Sequence, residues 1–354
     1  MSRTPRLVLP ALAAASVLAL AGCSSATADP AGDADAFTIV ASTDVYGQIA
    51  EAIAGDAAEV TAIITSAAQD PHGYEPTAAD QLTVQRADLL IENGGGYDAF
   101  MDALIEAGGT DAPVISAVEY AHDWPGADDD AHADDAHADD AHADDAHADD
   151  AHADDAHADD DHADDEHAHD EDEHGHTHIE GFNEHVWYDP HTIEHVAEAI
   201  AAQLSVQLPD DADAIEANAQ AFIAELEGLE AALAEIEAAH AGERVFVTEP
   251  APGYLVAAAG LVDVTPAAFS EAVEEGQDVA PATLLAALEA VRSGDVRVVI
   301  ANAQTGGAET TQLIDAAAAA DIPVLEFTET LPEGQTYIPW MQQNIEELAG
   351  ALAS

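Results

Sequence analysis

Phe37-Thr38-Ile39-Val40-Ala41-Ser42 is followed by Asp44-Val45-Tyr46-Gly47-Gln48-Ile49-Ala50-Glu51-Ala52-Ile53-Ala54, and then by Ala58-Glu59-Val60-Thr61-Ala62-Ile63-Ile64. This stretch reads as strand, helix, strand, and the alternation continues outward from it. Residues 78–86 read as a short helix, 87–91 as a strand, 98–107 as a helix and 113–116 as a strand. Strands alternating with helices predict an open, parallel α/β sheet. Ligands in such sheets bind beyond the carboxyl ends of the strands.

Residues 191–207 form an amphipathic helical pattern, and 210–239 a longer one. In the longer helix Phe222, Leu226, Leu229, Leu233 and Ile236 recur at spacings of four and three, a continuous apolar stripe. A coiled-coil strand is the rival reading. A long helix between two α/β halves reads better as a rigid connector, because the second half repeats the first pattern. Its strands fall at 244–248, 263–265, 296–301 and 323–327, and its helices at 253–259, 281–293, 309–320 and 337–352. The expected architecture is α/β with two lobes, each a parallel sheet flanked by helices, joined by one long rigid linker helix. The N-terminal lobe comprises 37–122 and 180–208, the linker 209–241 and the C-terminal lobe 242–354.

Between the two parts of the N-terminal lobe, residues 123–179 form an inserted His/Asp-rich tract. From about residue 128 to 165 it repeats Ala-His-Ala-Asp-Asp, then becomes denser. Its histidines are His132, His137, His142, His147, His152, His157, His162, His167, His169, His174, His176 and His178. A five-residue period turns about 140° on a helix, so these imidazoles would spiral around it. On a strand they would alternate sides. Neither element prebuilds a site, crowded like charges oppose compaction, and disorder without metal is expected. A solvated spacer is the plain reading of an acidic low-complexity run. The histidines favour an array of weak auxiliary metal sites.

The formal charge is −66, and all six basic residues are arginine. Such a surface repels nucleic acid and anionic headgroups and attracts cations, so no nucleic-acid partner is expected. Arg3 and Arg6 precede a short apolar run over residues 7–21, which is below the ~20 residues of a comfortable membrane span. It ends in Leu20-Ala21-Gly22-Cys23, which resembles a bacterial lipobox. Residues 1–23 are therefore expected to be a lipoprotein signal peptide, with Cys23 lipidated and 24–36 a tether. Cys23 is the only cysteine, so no disulfide framework or thiolate metal site exists.

Asp70-Pro71-His72-Gly73-Tyr74-Glu75-Pro76-Thr77 follows the second strand. Glu184-His185-Val186-Trp187-Tyr188-Asp189-Pro190 follows the insertion. Phe246-Val247-Thr248-Glu249-Pro250 follows the first strand of the second half, and Glu326-Phe327-Thr328-Glu329-Thr330 closes the last. Taken in this order, over most of residues 37–354, the chain resembles the metal-specific solute-binding proteins of zinc and manganese ABC transporters, the cluster A-I family. Asn93-Gly94-Gly95-Gly96 resembles that family's Asn-Gly-rich turn, and no lysine follows it as in a phosphate-cradling loop. Asn302-Ala303-Gln304-Thr305 and Tyr337 with Trp340 and Met341 look like its zinc branch.

The resemblance implies that His72, His185, Glu249 and Glu329 are the metal ligands. His191 and His195, one helical turn apart, compete with His185 and could bind metal by themselves. Glu249 could instead be an acid at a helix start. The family often places aspartate where Glu329 stands, and Glu326 or water could take its place. The resemblance also implies an extracytoplasmic binding protein, not an enzyme, a monomer anchored through Cys23, delivering metal to a membrane permease with a cytoplasmic ATPase.

Two imidazoles and two carboxylates suit a four-coordinate dication, and the carboxylates neutralise it. Carboxylates are compatible with Mn2+, whereas the His-rich tract favours Zn2+, the expected ligand. A surface metal store or adhesin is the rival function. An exported metallo-hydrolase is weaker, because no His-Glu-x-x-His and no evident general base accompany the set.

Overall fold

The computed structural model describes residues 36–126, 179 and 181–354. Its first half alternates β1 (Thr38–Thr43), α1 (Asp44–Ala54), β2 (Glu59–Ile64), α2 (Ala78–Val84), β3 (Leu89–Glu92), α3 (Ala99–Gly108) and β4 (Val114–Ser116). Two helices follow, α4 (Pro190–Gln207) and α5 (Ala212–His240). The second half runs β5 (Arg244–Val247), α6 (Gly253–Ala258), β6 (Val262–Asp263), α7 (Ala267–Glu274), α8 (Pro281–Arg292), β7 (Val296–Asn302), α9 (Ala308–Ala319), β8 (Val324–Phe327) and α10 (Tyr337–Leu352).

Both sheets are four-stranded and parallel throughout, in the orders β2-β1-β3-β4 and β6-β5-β7-β8. The expected two-lobed α/β architecture is therefore present, and the lobes share one topology. In each, the chain steps from the first strand to one neighbour and then returns to the other side. That reversal opens a crevice at the carboxyl ends of β1 and β3, and of β5 and β7.

Strand β3 is buried along its whole length and β7 at all but one position. Both read as near-continuous apolar runs, as parallel strands covered on two faces do. Most predicted ends move by one or two residues for local reasons. Helix α4 begins at Pro190, not His191, because proline lacks the N–H that a first-turn position leaves unbonded, and Asp189 caps it by accepting from His191 N. The sequence reading omitted α7 altogether.

Helix α5 runs for 29 residues, about 43 Å at 1.5 Å per residue. All five residues of the predicted stripe are buried, together with Ile215 and Ala219. The helix packs against α1 and α4 of the first lobe and α6 and α10 of the second, so one helix seats both lobes. Each large side chain in it contributes roughly 1.5–3 kcal/mol of burial. Residues of both sheets and of α4, α5 and α10 share a single core cluster.

The expected signal segment with Cys23, and the twelve histidines of the insertion from His132 to His178, lie outside the described residues. At the insertion's first edge, Tyr254 donates its hydroxyl to the Asp123 carboxylate at 3.0 Å. Among the described residues, no helix is long and apolar enough to cross a membrane.

Candidate metal centre

The Asp70–Thr77 loop is braced by its own side chains. Asp70 Oδ1 accepts from His72 N at 3.0 Å. Thr77 and Asp80 form a reciprocal capping box at the start of α2, and Tyr74 donates its hydroxyl to the same Asp80 at 3.0 Å. This fixes where the loop leaves β2 and sets His72 over the crevice.

His185 is positioned by two asparagines. Asn93 Nδ2 donates to Glu184 O at 2.8 Å, tying the Asn-Gly-rich turn to the residue before His185. The turn itself is held by Asp98, which accepts from Asn93 N and Gly94 N. Asn183 Oδ1 accepts from His185 N at 3.1 Å and lies 2.8 Å from His185 Nδ1. Asn183 Nδ2 donates to Pro250 O at 3.0 Å, which fixes the amide's orientation. Its oxygen therefore faces the imidazole, Nδ1 is the donor, and a neutral His185 carries its lone pair on Nε2.

The third and fourth groups come from the C-terminal lobe. Glu249 follows β5 and Glu329 follows β8, and both are almost fully buried. Asn302, at the end of β7, donates from Nδ2 to Glu249 Oε2 at 2.7 Å and to Glu329 Oε1 at 2.6 Å. Thr305 donates its hydroxyl to Glu249 Oε1. Gln304 Oε1 accepts from Glu329 N at 2.6 Å, while its Nε2 donates across to Ala67 O at 3.2 Å. Asp44 and Gln48 of α1 accept from Leu331 N and Tyr337 N, holding the Glu329 loop against the first lobe.

His72, His185 and Glu329 each place one ligand-type atom within 4.8 Å of the others'. The two imidazole rings are 5.7 Å apart. Tyr97 and Trp187 wall them in: the Tyr97 ring is 4.9 Å from His72, and the Trp187 ring 5.1 Å from His185. Glu249 stands outside this trio and joins it through Asn302. It does not cap α6, whose N-cap is Pro252. Glu326 is exposed on β8, whereas Glu329, beyond the strand end, is buried. His191 is exposed on α4 in a separate group with Glu194 and Glu230, and His195, half-buried one turn on, faces Glu198.

Glu274, at the end of α7, was not foreseen. Its Oε1 lies 3.6 Å from His185 Nε2, and it forms a second group of donors with His72 and Glu184. No motif flags it: Glu274 and Glu275 close a short helix after Val273 and read as a solvated acidic end. It lines a cavity of about 460 Å3, together with Asp70, His72, Gln304 and Thr305. A larger cavity, about 870 Å3, is lined by Asp44, Gln48 and Pro332 and contains neither clustered histidine.

The electrostatics are those of crowded, desolvated carboxyls. Burial, then the charges of Glu249 and Asp70, push Glu329 up to about 8. Burial, then Glu184, Glu249 and Glu329, push Glu274 up to about 9. Glu249 is also raised by burial, against the donors Thr305 and Asn302. The neighbours that act on Glu329 by charge are themselves acids, so a dication is the group that would relieve the repulsion. Nitrogen and oxygen donors without sulfur suit a borderline or harder divalent metal.

Known proteins give the arrangement its family. The family model described as "Zinc-uptake complex component A periplasmic" (ZnuA) matches residues 39–351. The zinc-binding lipoprotein AdcA of Streptococcus pneumoniae is 25% identical over 307 residues, 84% of this chain and 52% of its own length. The manganese-binding lipoprotein MntA of Halalkalibacterium halodurans is 34% identical over 89 residues, 25% of this chain and 29% of its own. The chain thus spans about half the length of AdcA, and less of MntA. A crystal structure of ZnuA superposes with a TM-score of 0.63 at 19% identity, covering 90% of this chain and all of that one. The periplasmic zinc-binding protein TroA of Treponema pallidum gives 0.64 at 17%, covering 90% and 99%. These two likenesses establish the fold, and the family match across residues 39–351 places this chain in the ZnuA family of periplasmic zinc-uptake components.

Proposed function

We propose that this protein is an extracytoplasmic solute-binding protein that captures Zn2+ in the crevice between its lobes and delivers it to an ABC permease driven by a cytoplasmic ATPase. The convergence of His72, His185 and Glu329 within 4.8 Å carries the reading. His72 and His185 supply imidazole nitrogens, and Glu329 and Glu249 supply carboxylates. With Glu249 held by Asn302 and Thr305, it enters either directly or by fixing Glu329. Glu274, 3.6 Å from His185, is a substitute. Binding, not turnover, is the activity. With Glu249 or Glu274 as the fourth donor, no open position would be left for a water nucleophile.

Cys23 carries the lipid anchor, the protein acts as a monomer, and the inserted tract collects metal weakly near the tight site. The first lobe covers 37–122 and 180–208, the linker 209–241 and the second lobe 242–354. Manganese is the second reading, supported by the carboxylate count and by the short match to a manganese-binding relative.

The test is competition for Zn2+ and Mn2+ against a chelator of known affinity. His72→Ala should weaken tight zinc binding by orders of magnitude, and His240→Ala should leave it unchanged. Equal effects would mean that the ligand assignment is wrong, and tighter binding of Mn2+ than of Zn2+ would reverse the choice of metal.

A further inference from the structure

Helix α4 carries His191-Thr192-Ile193-Glu194-His195 on its first two turns. The spacing of four puts both imidazoles on one helical face, and their rings lie 4.9 Å apart at 76°. The order His-x-x-Glu-His adds a carboxylate to that face. A third contribution comes from the neighbouring helix: Glu230 of α5 places Oε1 3.7 Å from His191 Nδ1. His191, Glu194 and Glu230 each offer a donor atom within 4.8 Å of the others'. His195 lies 3.3 Å from Glu198 and stands outside that trio, with its ring beside that of His191.

The backbone beneath these side chains is rigid. Ile193, Val196, Ala197 and Ile200 of α4 share the core cluster with Leu226, Leu229 and Leu233 of α5, so the two helices cannot drift apart. Donor atoms around a tetrahedral zinc are ~3.4 Å apart, given Zn–N and Zn–O lengths near 2.1 Å. Closing 4.8 Å to that value asks for side-chain movement, and His191 and Glu230 have the freedom, being 57% and 39% exposed.

We propose that His191, His195 and Glu230, with Glu194 or water in the fourth position, form a second, solvent-facing site for a borderline divalent cation of the zinc, copper or nickel class. Two neutral imidazoles select against Mg2+ and Ca2+. The site lies on α4 and α5 and shares no residue with the crevice cluster, so it stands whether or not the crevice is the transport site. Its exposure makes it the weaker of the two and quick to exchange.

The experiment is histidine acylation by diethyl pyrocarbonate on the full chain, read by peptide mass spectrometry, so that the inserted tract does not contribute to the signal. Zn2+ well above the first equivalent should protect His191 and His195 together. The rate should fall about tenfold when zinc is tenfold above the site's dissociation constant. His240, beside Glu243, should keep its rate, and Mg2+ should protect none. Glu230→Gln should shift the protection of His191 to higher zinc while tight binding of the first equivalent is unchanged. Protection of His191 no greater than that of His240, equal protection by Mg2+, or an unshifted curve in Glu230→Gln would each overturn the proposal.

Discussion

Asn183 Oδ1 stands 2.8 Å from His185 Nδ1, and the same amide donates through Nδ2 to the carbonyl of Pro250. One side chain thus sets the tautomer of a histidine in one lobe and grips the backbone beside Glu249 in the other. Groups that orient a metal-binding histidine typically contribute 10- to 100-fold to affinity. Asn183→Ala should therefore weaken zinc binding by roughly 10- to 100-fold with the fold intact. Asn183→Asp keeps the acceptor and should lose less. Chelator competition measures both; an unchanged affinity in Asn183→Ala would remove the positioning role.

Glu329 and Glu326 are three residues apart and have opposite surroundings. The first is buried against Asn302 and Tyr97, the second exposed on β8. Glu329→Gln should abolish tight zinc binding, since it removes the charge while keeping the shape. Glu326→Gln should bind as the parent does. Calorimetric titration of the pair distinguishes them, and a comparable loss in both would place the carboxylate ligand elsewhere.

Glu329 at about 8 and Glu274 at about 9 both hold a proton at neutral pH in the metal-free crevice. A coordinating carboxylate must give its proton up. Zinc binding near pH 7 should therefore release about one proton if Glu329 coordinates, and about two if Glu274 also ionises. Calorimetry in buffers of different ionisation enthalpy counts them; a heat independent of buffer would contradict the assignment.

The same shifts govern the stability of the metal-free protein. A carboxyl with a folded pKa above its unfolded value near 4.5 stabilises the fold fully below that value. Above that value the folded state binds more protons than the unfolded one, so the contribution falls as pH rises and is gone once pH passes 8 to 9. The Tm of metal-free protein should fall between about pH 6 and pH 9, and saturating zinc should remove most of the fall. A metal-free Tm that rises over this range would refute the sign.

Gly94 has φ +79°, and a Cβ there would lie 2.5 Å from Ser116 Oγ. Gly94→Ala must strain the backbone and displace Ser116, at a cost of about 1–3 kcal/mol. Asn93, its neighbour, holds the Glu184 carbonyl, so zinc affinity should fall along with stability. Denaturant unfolding with a zinc titration on the same samples reads both; a stability loss with unaltered affinity would uncouple the turn from His185.

Deleting residues 128–178 should leave one tight zinc site and remove several weak ones. A tethered array raises local metal concentration without adding to the crevice. Stoichiometry by calorimetry checks this, and loss of the tight site on deletion would make the tract part of it.

Several features were legible because their causes are local. The stripe from Phe222 to Ile236 announces a one-sided helix wherever it packs, and all five residues are buried. The strand–helix alternation is likewise short-range. Helix α7 left no such trace: it has eight residues, with only Phe269 and Val273 buried, too few for a period to show. Glu274 was missed with it.

By itself the sequence determined the α/β class, the alternation of strands and helices apart from α7, and the long connector, since periodicity acts over a few residues; the family resemblance supplied the shortlist of His72, His185, Glu249 and Glu329. Only the tertiary structure decided which donors meet: His72, His185 and Glu329 directly, Glu249 through Asn302, and Glu274 from an unforeseen helix. These residues come from loops as many as 257 positions apart, a difference of 329 and 72. Their distances depend on how two sheets seat against one helix and on buried amides that choose between neighbouring carboxylates, and no local pattern encodes that.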